Sequence, residues 1–478
     1  MSTWLRTEAR RLAAALLLTG ATATAPALAA DDELRFRSLY RELVETDTSL
    51  STGSCTVAAR QLAARLHAAG YSAAEARLVV PDEFPRQGNL VVRVAGTDRK
   101  LEPVLFLAHI DVVEAKRSDW QRDPFKLVEE NGYFFARGAV DDKAMAAAFV
   151  DALIRFRDEG FRPKRTIKVA LTCGEETDSV FNGVQYLLAK EPETLRAAFA
   201  INEGGKALLD GAGARTLVGV EAGQKIYQDF RLVTTAPGGH SARPPKENAI
   251  ARLSAALVRV DDHIFPVDLV DASRIFFGRS AALHGGQVRS DMTAIGAGTA
   301  DAAAYTRIGA ADPLWNAMLR TTCTVTLIKG GHAENALPQQ AEANVNCRLL
   351  PGQSVDNTLE RLRSVVGDPK VTISLAAPPG PTSPPPPLTP AVMGPLEATA
   401  ARIWPGVPVI PSLSTGATDG RFLTAAGIPT FGVSGMFVDP DGNGVHGLDE
   451  RIRVRSLMEG RAFHYALMKA FASGVASR

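Results

Sequence analysis

The sequence is poor in several features that mark specialised classes of protein. Only four of its 478 residues are cysteine, which excludes a small scaffold held together by disulfides. Neither sign of charge dominates, because 53 Lys and Arg residues face 52 Asp and Glu residues. We therefore expect no nucleic-acid partner. Hydrophobic residues make up 46% of the chain and charged residues 22%, which is typical of a globular protein with a substantial core.

Long apolar runs are also lacking after the N-terminus. There, three arginines precede an apolar run at residues 12–18, and small residues follow as far as Ala29 and Ala30. This pattern predicts a signal peptide over residues 1–30 and a secreted or periplasmic mature chain that begins near Asp31. An uncleaved membrane anchor is the alternative, and the shortness of the apolar run disfavours it. No later run reaches about 18 apolar residues, so we expect no other membrane span.

Helical and strand patterns alternate through residues 31–224, which we interpret as the first segment of a catalytic domain. Alternation of this kind favours an α/β fold with a mostly parallel central sheet. The predicted helices cover residues 56–69, 144–157 and 182–189, and the predicted strands cover residues 89–94, 104–108, 167–172 and 197–201.

A different order of elements follows in residues 225–377. It reads βαββαβ, which predicts an inserted ferredoxin-like lid domain. Residues 262–321 interrupt this order after the first helix, and the sequence assigns them no role. The predicted strands cover residues 226–234, 322–329, 341–349 and 371–375, and the predicted helices cover residues 248–260 and 355–366.

Proline dominates residues 377–390, which excludes a helix or a central strand there. A polyproline ligand is one interpretation, but the segment falls where the pattern changes, which favours a stiff connector between domains. The α/β pattern then resumes, so residues 378–478 are predicted to complete the catalytic domain.

Acidic residues and histidines interrupt the chain where the predicted strands end. Ligands of open α/β sheets bind beyond the carboxyl ends of the strands. So much negative charge at one edge would be unfavourable without a bound cation. A lone histidine at a strand end is more often structural, but five such clusters favour a site for zinc, or for cobalt or manganese. The clusters contain His109 and Asp111, Asp141 and Asp142, Glu175 and Glu176, Glu203, and His446.

Several motifs resemble one family when taken in order. It is the co-catalytic zinc peptidase family of bacterial glutamate carboxypeptidase, aminoacylase, carnosinase and yeast carboxypeptidase S. The carboxypeptidase S branch is the most similar, through GHSARPPKENAI and the late GATDGRF and VHGLDERI. The other motifs are HID at 109–111, RGAVDDK at 137–143, CGEET at 173–177, NEGG at 202–205 and NALP at 335–338.

The resemblance implies a catalytic domain with a lid domain, two zinc ions per chain and a role for each matching residue. Glu175 would be the general base, and Asp111 would orient His109. A cis peptide would join Asp141 to Asp142. The implied metal ligands are Asp141 as a bridge, His109 and Glu203 on one ion, and Glu176 and His446 on the other.

The same resemblance implies residues that contact substrate. His240 matches a lid histidine that reaches the partner's active site in dimeric relatives, so a homodimer through the lid is expected. Arg348 would hold a substrate carboxylate, although a surface salt bridge is the alternative. Asn335 would also contact substrate, unless it is only a turn residue before Leu-Pro. Thr415 and Gly416 lie where relatives contact substrate too.

These residues predict a secreted di-zinc metallopeptidase that hydrolyses the amide bonds of short peptides, as a carboxypeptidase or dipeptidase. The alternative is an amidohydrolase that deacylates N-acyl amino acids. A binding protein that retains the metal cleft without catalysis is a third interpretation, and the presence of Glu175 argues against it.

The cysteines allow one prediction from strand register. If residues 322–329 and 341–349 pair antiparallel around a turn near Asn335, Cys323 lies opposite Cys347. A disulfide between them is then sterically possible. The sequence suggests no partner for Cys55 or Cys173, and both are expected to be unpaired.

Overall fold

The computed structural model describes residues 24–177, 180–382 and 384–474, with only the backbone described for residues 24–30. Residues 1–23 of the predicted signal peptide therefore lie outside the described residues. The first helix begins at Thr24 and runs past the predicted cleavage position to Glu45. Within the described part of the chain, no helix combines the length and the apolar character that crossing a bilayer requires.

Most helices contain apolar residues at helical spacing and pack one face on a sheet. Asn182, Asn248 and Ser354 begin three of them as N-caps, each accepting a hydrogen bond from a backbone N–H of the first turn. The helices are α1 (Thr24–Glu45), α2 (Cys55–Ala68), α3 (Lys143–Asp158), α4 (Gly183–Lys190), α5 (Pro192–Leu195), α6 (Ala249–Asp261), α7 (Asp271–Ser280), α8 (Gly286–Ala297), α9 (Ala302–Ala311), α10 (Pro313–Leu319), α11 (Val355–Val366), α12 (Pro390–Ile403), α13 (Gly420–Ala425) and α14 (Val454–Ala472).

The strands form a large mixed sheet, a four-stranded lid sheet and two small sheets. They are β1 (Ala76–Val79), β2 (Asn89–Val94), β3 (Val104–His109), β4 (Val128–Glu130), β5 (Tyr133–Phe135), β6 (Ile167–Thr172), β7 (Phe199–Asn202), β8 (Ala207–Leu209), β9 (Arg215–Gln224), β10 (Ile226–Thr235), β11 (Gly239–His240), β12 (Thr322–Gly330), β13 (Ala336–Leu337), β14 (Gln340–Leu349), β15 (Val371–Leu375), β16 (Val409–Ser414), β17 (Thr430–Gly432), β18 (Phe437–Val438) and β19 (Arg451–Arg453).

The large sheet has the order β1-β2-β6-β3-β7-β17-β9-β8-β18, and β16 also pairs with β9. Its central strands β6, β3, β7 and β17 are parallel, and β8 is parallel to β18, whereas the pairs β1–β2, β2–β6 and β8–β9 are antiparallel. Strands β3 and β6 are buried along their whole length, because helices cover both faces of the sheet. The predicted α/β catalytic domain is confirmed, with a sheet that is mixed rather than parallel throughout.

The lid sheet has the order β12-β14-β10-β15, and all its pairs are antiparallel. Helices α6 and α11 pack on one face through residues such as Leu253 and Leu362. This order and these two helices confirm the predicted ferredoxin-like βαββαβ domain.

Residues 262–321 form helices α7 to α10, which pack mainly on the catalytic domain although both of their ends join the lid. Phe277 of this insertion shares a buried cluster with Leu413 of β16. Arg279 donates a hydrogen bond of 2.8 Å to the carbonyl oxygen of Val409. At the hinge between the domains, where β9 leads into β10, the buried Lys225 ammonium donates hydrogen bonds to the carbonyl oxygens of Ala317 and Arg320. The insertion therefore ties the lid to the large sheet.

The register prediction for the lid cysteines is confirmed, since Cys323 pairs with Cys347 across β12 and β14. Their Cα atoms are 4.0 Å apart and a disulfide joins them. The prediction for the other two cysteines is wrong, because Cys55 and Cys173 also form a disulfide, with Cα atoms 6.0 Å apart. Helix α2 packs on β1 and β2, and β2 pairs with β6, which brings the start of α2 beside the residue that follows β6. Their separation of 118 residues gives no local signal of pairing.

Candidate active site

Three parallel strands bring the predicted ligands to one edge of the large sheet. Strand β3 lies between β6 and β7, so the carboxyl ends of all three are adjacent. Strand β3 ends at His109, and Glu175 and Glu176 follow the end of β6. Glu203 follows β7 directly. The predicted convergence of these side chains is therefore seen in the fold.

Asp141 occupies the centre of the cluster, between two histidines. Its Oδ1 atom is 3.0 Å from His109 Nε2, and its Oδ2 atom is 3.2 Å from His446 Nε2. Each oxygen of one carboxylate therefore faces a different histidine. This is the arrangement required of a carboxylate that bridges two metal ions. The peptide between Asp141 and Asp142 is cis, as the resemblance implied.

The two remaining predicted ligands divide between the histidines. His446 Nε2 is 3.0 Å from Glu176 Oε1, and His109 Nε2 is 3.7 Å from Glu203 Oε2. The cluster thus has two halves that meet at Asp141. One half contains His109 and Glu203, and the other contains His446 and Glu176, in the pairs that the resemblance implied.

Glu175 differs from these residues in its contacts. Its carboxylate lies within 4.8 Å of ligand atoms of His109 and Glu203, but within the described residues it accepts no hydrogen bond from either histidine. Burial, together with the charge of Glu203, raises the pKa of Glu175 to about 10. Glu175 therefore lies beside the same cluster but differs in its contacts from the residues that pair with a histidine.

The charges of the cluster depend on one another. Hydrogen bonds to Asp141 and Glu176 raise the pKa of His446 to about 10. Burial opposes protonation of His109, but the charge of Glu203 and hydrogen bonds to nearby carboxylates hold its pKa well above the usual value. The same burial raises the pKa of Glu203. A cation at this position would relieve the repulsion among these carboxylates.

Asp111 was predicted to orient His109, and its contacts extend beyond that role. The ring nitrogen Nδ1 of His109 lies 3.1 Å from the backbone oxygen of Asp111 and 3.5 Å from its carboxylate. The carboxylate accepts hydrogen bonds from the backbone N–H groups of Glu175, at 3.3 Å, and Glu176, at 3.1 Å. Asp111 therefore fixes both the imidazole and the turn that carries the two glutamates.

Glu450 is a supporting residue that the sequence did not reveal. Its fully buried carboxylate pairs with Arg137 Nη1 at 2.8 Å and accepts hydrogen bonds from the backbone N–H groups of Gly138, Val140 and Asp141. It thereby shapes the loop that presents Asp141. Glu450 falls inside the VHGLDERI motif, but a motif does not reveal which of its carboxylates is buried.

Asp419 supports the opposite side of the cluster and was also missed. Its buried carboxylate accepts a hydrogen bond of 2.6 Å from Asn182 Nδ2. The same amide nitrogen donates to the backbone oxygen of Gly174, one residue before Glu175. Burial raises the pKa of Asp419 to about 7. The GATDGRF motif contained this residue, but only the fold brings it behind the glutamate turn.

Arg348, Thr415 and Gly416 lie close together beside the cluster. The half-buried guanidinium of Arg348 has its carbon 4.6 Å from the centre of the Tyr227 ring. Its Nη1 atom is 3.5 Å from the backbone oxygen of Thr415. Among the described residues, Arg348 forms no salt bridge with a carboxylate. It therefore remains available to an anionic group of a substrate.

His240 and Asn335 lie together, but on the lid. Strand β11 pairs with β13, where His240 faces Ala336, and the backbone N–H of Ser241 donates to the backbone oxygen of Asn335 at 3.0 Å. Both side chains are exposed. Across the described part of the chain, no hydrogen bond or ion pair connects either side chain to the metal-ligand cluster. Their predicted roles at the reacting amide remain predictions.

The donor set fits a divalent metal. Imidazole nitrogens and carboxylate oxygens are ligands that zinc accepts, and cobalt and manganese bind to similar sets. Ligand atoms of His109, Asp141 and Glu176 lie within 4.8 Å of one another, as do those of His109, Glu175 and Glu203. The first group is a compact set of predicted ligand atoms, and in the second His109 and Glu203 are the predicted ligands while Glu175 is the predicted base. A third group, formed by Cys55, Asp111 and Cys173, is not a ligand set because its two sulfur atoms are bonded together.

Comparison with known proteins agrees with this geometry. Residues 105–470 match the family described as peptidase family M20/M25/M40. The chain belongs to this family. Membership in the M20 family confirms the resemblance to carboxypeptidase S and its relatives. It identifies the protein as a metal-dependent hydrolase of the peptidase and amidohydrolase type.

Relatives of two kinds are found within the M20 family. The chain is 30% identical over 381 residues to the N-fatty-acyl-amino acid synthase/hydrolase PM20D1 of Xenopus tropicalis, covering 75% of this chain and 70% of the relative. It is 28% identical over 395 residues to the probable carboxypeptidase S-like 2 of Dictyostelium discoideum, covering 80% of this chain and 74% of the relative.

Solved M20 structures have the same fold. A metallo-carboxypeptidase from Sulfolobus solfataricus superposes with a TM-score of 0.64 at 19% identity, covering 91% of this chain and 99% of that structure. Human carnosine dipeptidase 1 superposes with a TM-score of 0.60 at 17% identity, covering 94% of this chain and 98% of that structure. At these identities, the likeness concerns the arrangement of the catalytic and lid domains.

Proposed function

We propose that the protein is a di-zinc hydrolase that cleaves the amide bond next to a residue bearing a free carboxylate, as a carboxypeptidase or dipeptidase does. The observation that carries this proposal is the position of Asp141, with one carboxylate oxygen facing His109 and the other facing His446. A divalent metal bound there would polarise the amide carbonyl and make a water molecule more acidic.

Side chains of the protein supply the proton transfer, the stabilisation of negative charge and the binding of substrate. Glu175 takes a proton from the attacking water and passes it to the nitrogen of the leaving amine. Asp111 keeps Glu175 in position through the hydrogen bond to its backbone N–H. His240 and Asn335 donate hydrogen bonds to the carbonyl oxygen as negative charge develops on it. Arg348 binds the carboxylate of the substrate and so selects which amide reaches the cluster.

The carboxylate preference has a direct test. In zinc-loaded protein, Arg348→Met is expected to raise KM by roughly tenfold or more, since a hydrogen bond to a charged group contributes about 1.5–3 kcal/mol. Arg231→Met is a matched control, because Arg231 is exposed on the same lid sheet and pairs with Glu342. Equal loss in both variants, or equal turnover of substrates with and without a free carboxylate, would reject the assignment of Arg348.

Deacylation of N-acyl amino acids is a second candidate. Relatives named N-fatty-acyl-amino acid synthase/hydrolase support it. A parallel assay of dipeptides and N-acyl amino acids with the same C-terminal residue separates the two activities. Turnover confined to the N-acyl series would replace the peptidase proposal with the deacylase.

Export and dimerisation complete the proposal. The N-terminal pattern supports a secreted or periplasmic enzyme, which N-terminal sequencing of the mature protein tests. The exposure of His240 on the lid supports its action across a homodimer. Mixing His240→Ala with Glu175→Ala chains is then expected to restore part of the activity. Verified mixed dimers without recovery would assign His240 to its own chain.

A further inference from the structure

A second chamber adjoins the metal cleft. The cleft, of about 460 Å³, is lined by Asp141, Glu175 and His446 among others. The chamber, of about 640 Å³, lies between the large sheet, the start of β10 and the proline-rich connector. Gly416 and Ala417 line both spaces. The two spaces therefore adjoin at these two small residues, so a substrate whose amide lies in the cleft has room to extend into the chamber.

Prolines of the connector form one wall of the chamber, at positions 378, 381, 384, 385 and 386. A proline has no backbone N–H, so this wall presents rings and carbonyl oxygens but no main-chain donor at these positions. In an ordinary loop the unpaired N–H groups would make the wall polar. Proline rings also hold their backbone angles, which gives the wall a fixed shape.

Close packing holds the wall against the hinge. The connector packs so closely on two glycines that a Cβ atom added to Gly223 would lie 3.1 Å from Cβ of Pro385. A Cβ atom added to Gly352 would lie 3.7 Å from Cα of Pro384. The side-chain nitrogen of Gln228 donates a hydrogen bond of 3.2 Å to the carbonyl oxygen of Ala377. The connector is thus anchored on both the catalytic and the lid side, and its inner face remains open to the chamber.

Arg348 determines which part of a substrate enters the chamber. It is one of the residues that line it. A substrate carboxylate held by Arg348 therefore lies at the chamber, and the side chain on the same α-carbon is close enough to enter it. The acyl or N-terminal portion, on the other side of the scissile amide, lies toward the metal cleft.

We propose that the proline wall is a specificity determinant, and that the chamber selects substrates whose carboxylate-bearing residue has a large apolar side chain. This inference rests on the proposed function, because it uses the carboxylate contact of Arg348. Besides the prolines, Ile226 and Phe422 contribute apolar surface to the chamber, which is also lined by the charged residues Glu221, Lys225, Asp229 and Arg421. A large side chain gains by leaving water for these surfaces, whereas glycine has nothing to bury.

The test compares two substrates with the same acyl group, one ending in phenylalanine and one in glycine. The zinc-loaded wild type is expected to favour phenylalanine in kcat/KM by roughly ten- to hundredfold, as burial of one large apolar side chain allows. Pro385→Asp places a charge in the wall and is expected to reduce this ratio at least several-fold, with the glycine substrate little affected. Pro387→Asp is the matched control, since Pro387 is exposed and does not line the chamber.

A second measurement tests the chamber with ligands that are not themselves hydrolysed. Free phenylalanine is expected to inhibit the wild type more strongly than free glycine, and Pro385→Asp is expected to weaken that inhibition selectively. Equal kcat/KM for both substrates in the wild type, or the same change of ratio in both variants, overturns the role of the wall. Failure of the proposed function is distinguishable, because the wild type would then hydrolyse neither substrate.

Discussion

The disulfide between Cys55 and Cys173 is expected to stabilise the protein more than the lid disulfide does. It joins the first residue of α2 to the residue after β6 and spans 118 residues, whereas the bond between Cys323 and Cys347 spans 24 residues. A crosslink restricts the unfolded chain, and the restriction grows with the length of the closed loop. The chain-entropy relation gives about 4.9 kcal/mol for the longer loop and about 3.4 kcal/mol for the shorter one.

A matched pair of double variants measures this difference. Cys55→Ala with Cys173→Ala is expected to lose about 1.5 kcal/mol more stability than Cys323→Ala with Cys347→Ala, since that is the difference between the two loop terms. Urea unfolding followed by circular dichroism provides the free energies of unfolding. An equal or larger loss in the lid variant would refute the reasoning.

The same variants differ in their expected activity. Cys173 lies two residues before Glu175, and the sulfur atoms of Cys55 and Cys173 lie within 4.8 Å of a carboxylate oxygen of Asp111. Removing this bond therefore loosens the turn that Asp111 holds, and turnover is expected to fall even where the protein remains folded. The lid variant retains turnover. Unchanged turnover in the Cys55 and Cys173 variant would contradict the link between this disulfide and the glutamate turn.

Two further predictions concern buried charged and titratable groups. Glu450→Gln leaves Arg137 buried without a charge partner, so we expect a loss of about 3–5 kcal/mol of stability and a loss of metal bound at Asp141. Urea unfolding and metal analysis measure these two losses. Glu130→Gln, at an exposed ion pair, is the control and should cost under about 1 kcal/mol. Burial lowers the pKa of His464 to about 4, below the unfolded value of 6.5, so the unfolded chain binds more protons between these values. The contribution of His464 to the free energy of unfolding is therefore fully present above about pH 6.5, and it falls by about 3 kcal/mol as the pH drops to about 4. Stability measured from pH 7 to pH 4 should therefore decline less steeply in His464→Gln, and an identical slope would contradict this.

Local patterns predicted the elements of the fold well. Strands β2 and β6 and helix α11 have the predicted bounds, because apolar periodicity and nearby turn residues specify them. The register of β12 and β14 followed from the symmetry of a hairpin around Asn335. Beside the turn, Gly330 pairs with Ala341, one residue out of step with the pair of Cys323 and Cys347. A bulge between Val325 and Leu327 makes up this difference, so the cysteines lie opposite each other because of the bulge and not through hairpin symmetry alone.

Contacts between distant segments were not predictable in the same way. Two features depend on the packing of helices against strands that are distant in sequence. They are the pairing of Cys55 with Cys173 and the position of residues 262–321 on the large sheet. Glu450 and Asp419 were missed for a similar reason. Their function follows from burial and from hydrogen bonds to loops that carry other residues, whereas the ligands themselves were visible as charges at strand ends.

The central claim is that Glu175 is the base of a two-metal site and not a ligand of it. Metal content and turnover measured together on purified Glu175→Gln test this claim directly. The account predicts two zinc ions per chain, as in the wild type, with nearly all turnover lost. Loss of metal from this variant, or turnover close to that of the wild type, would contradict it.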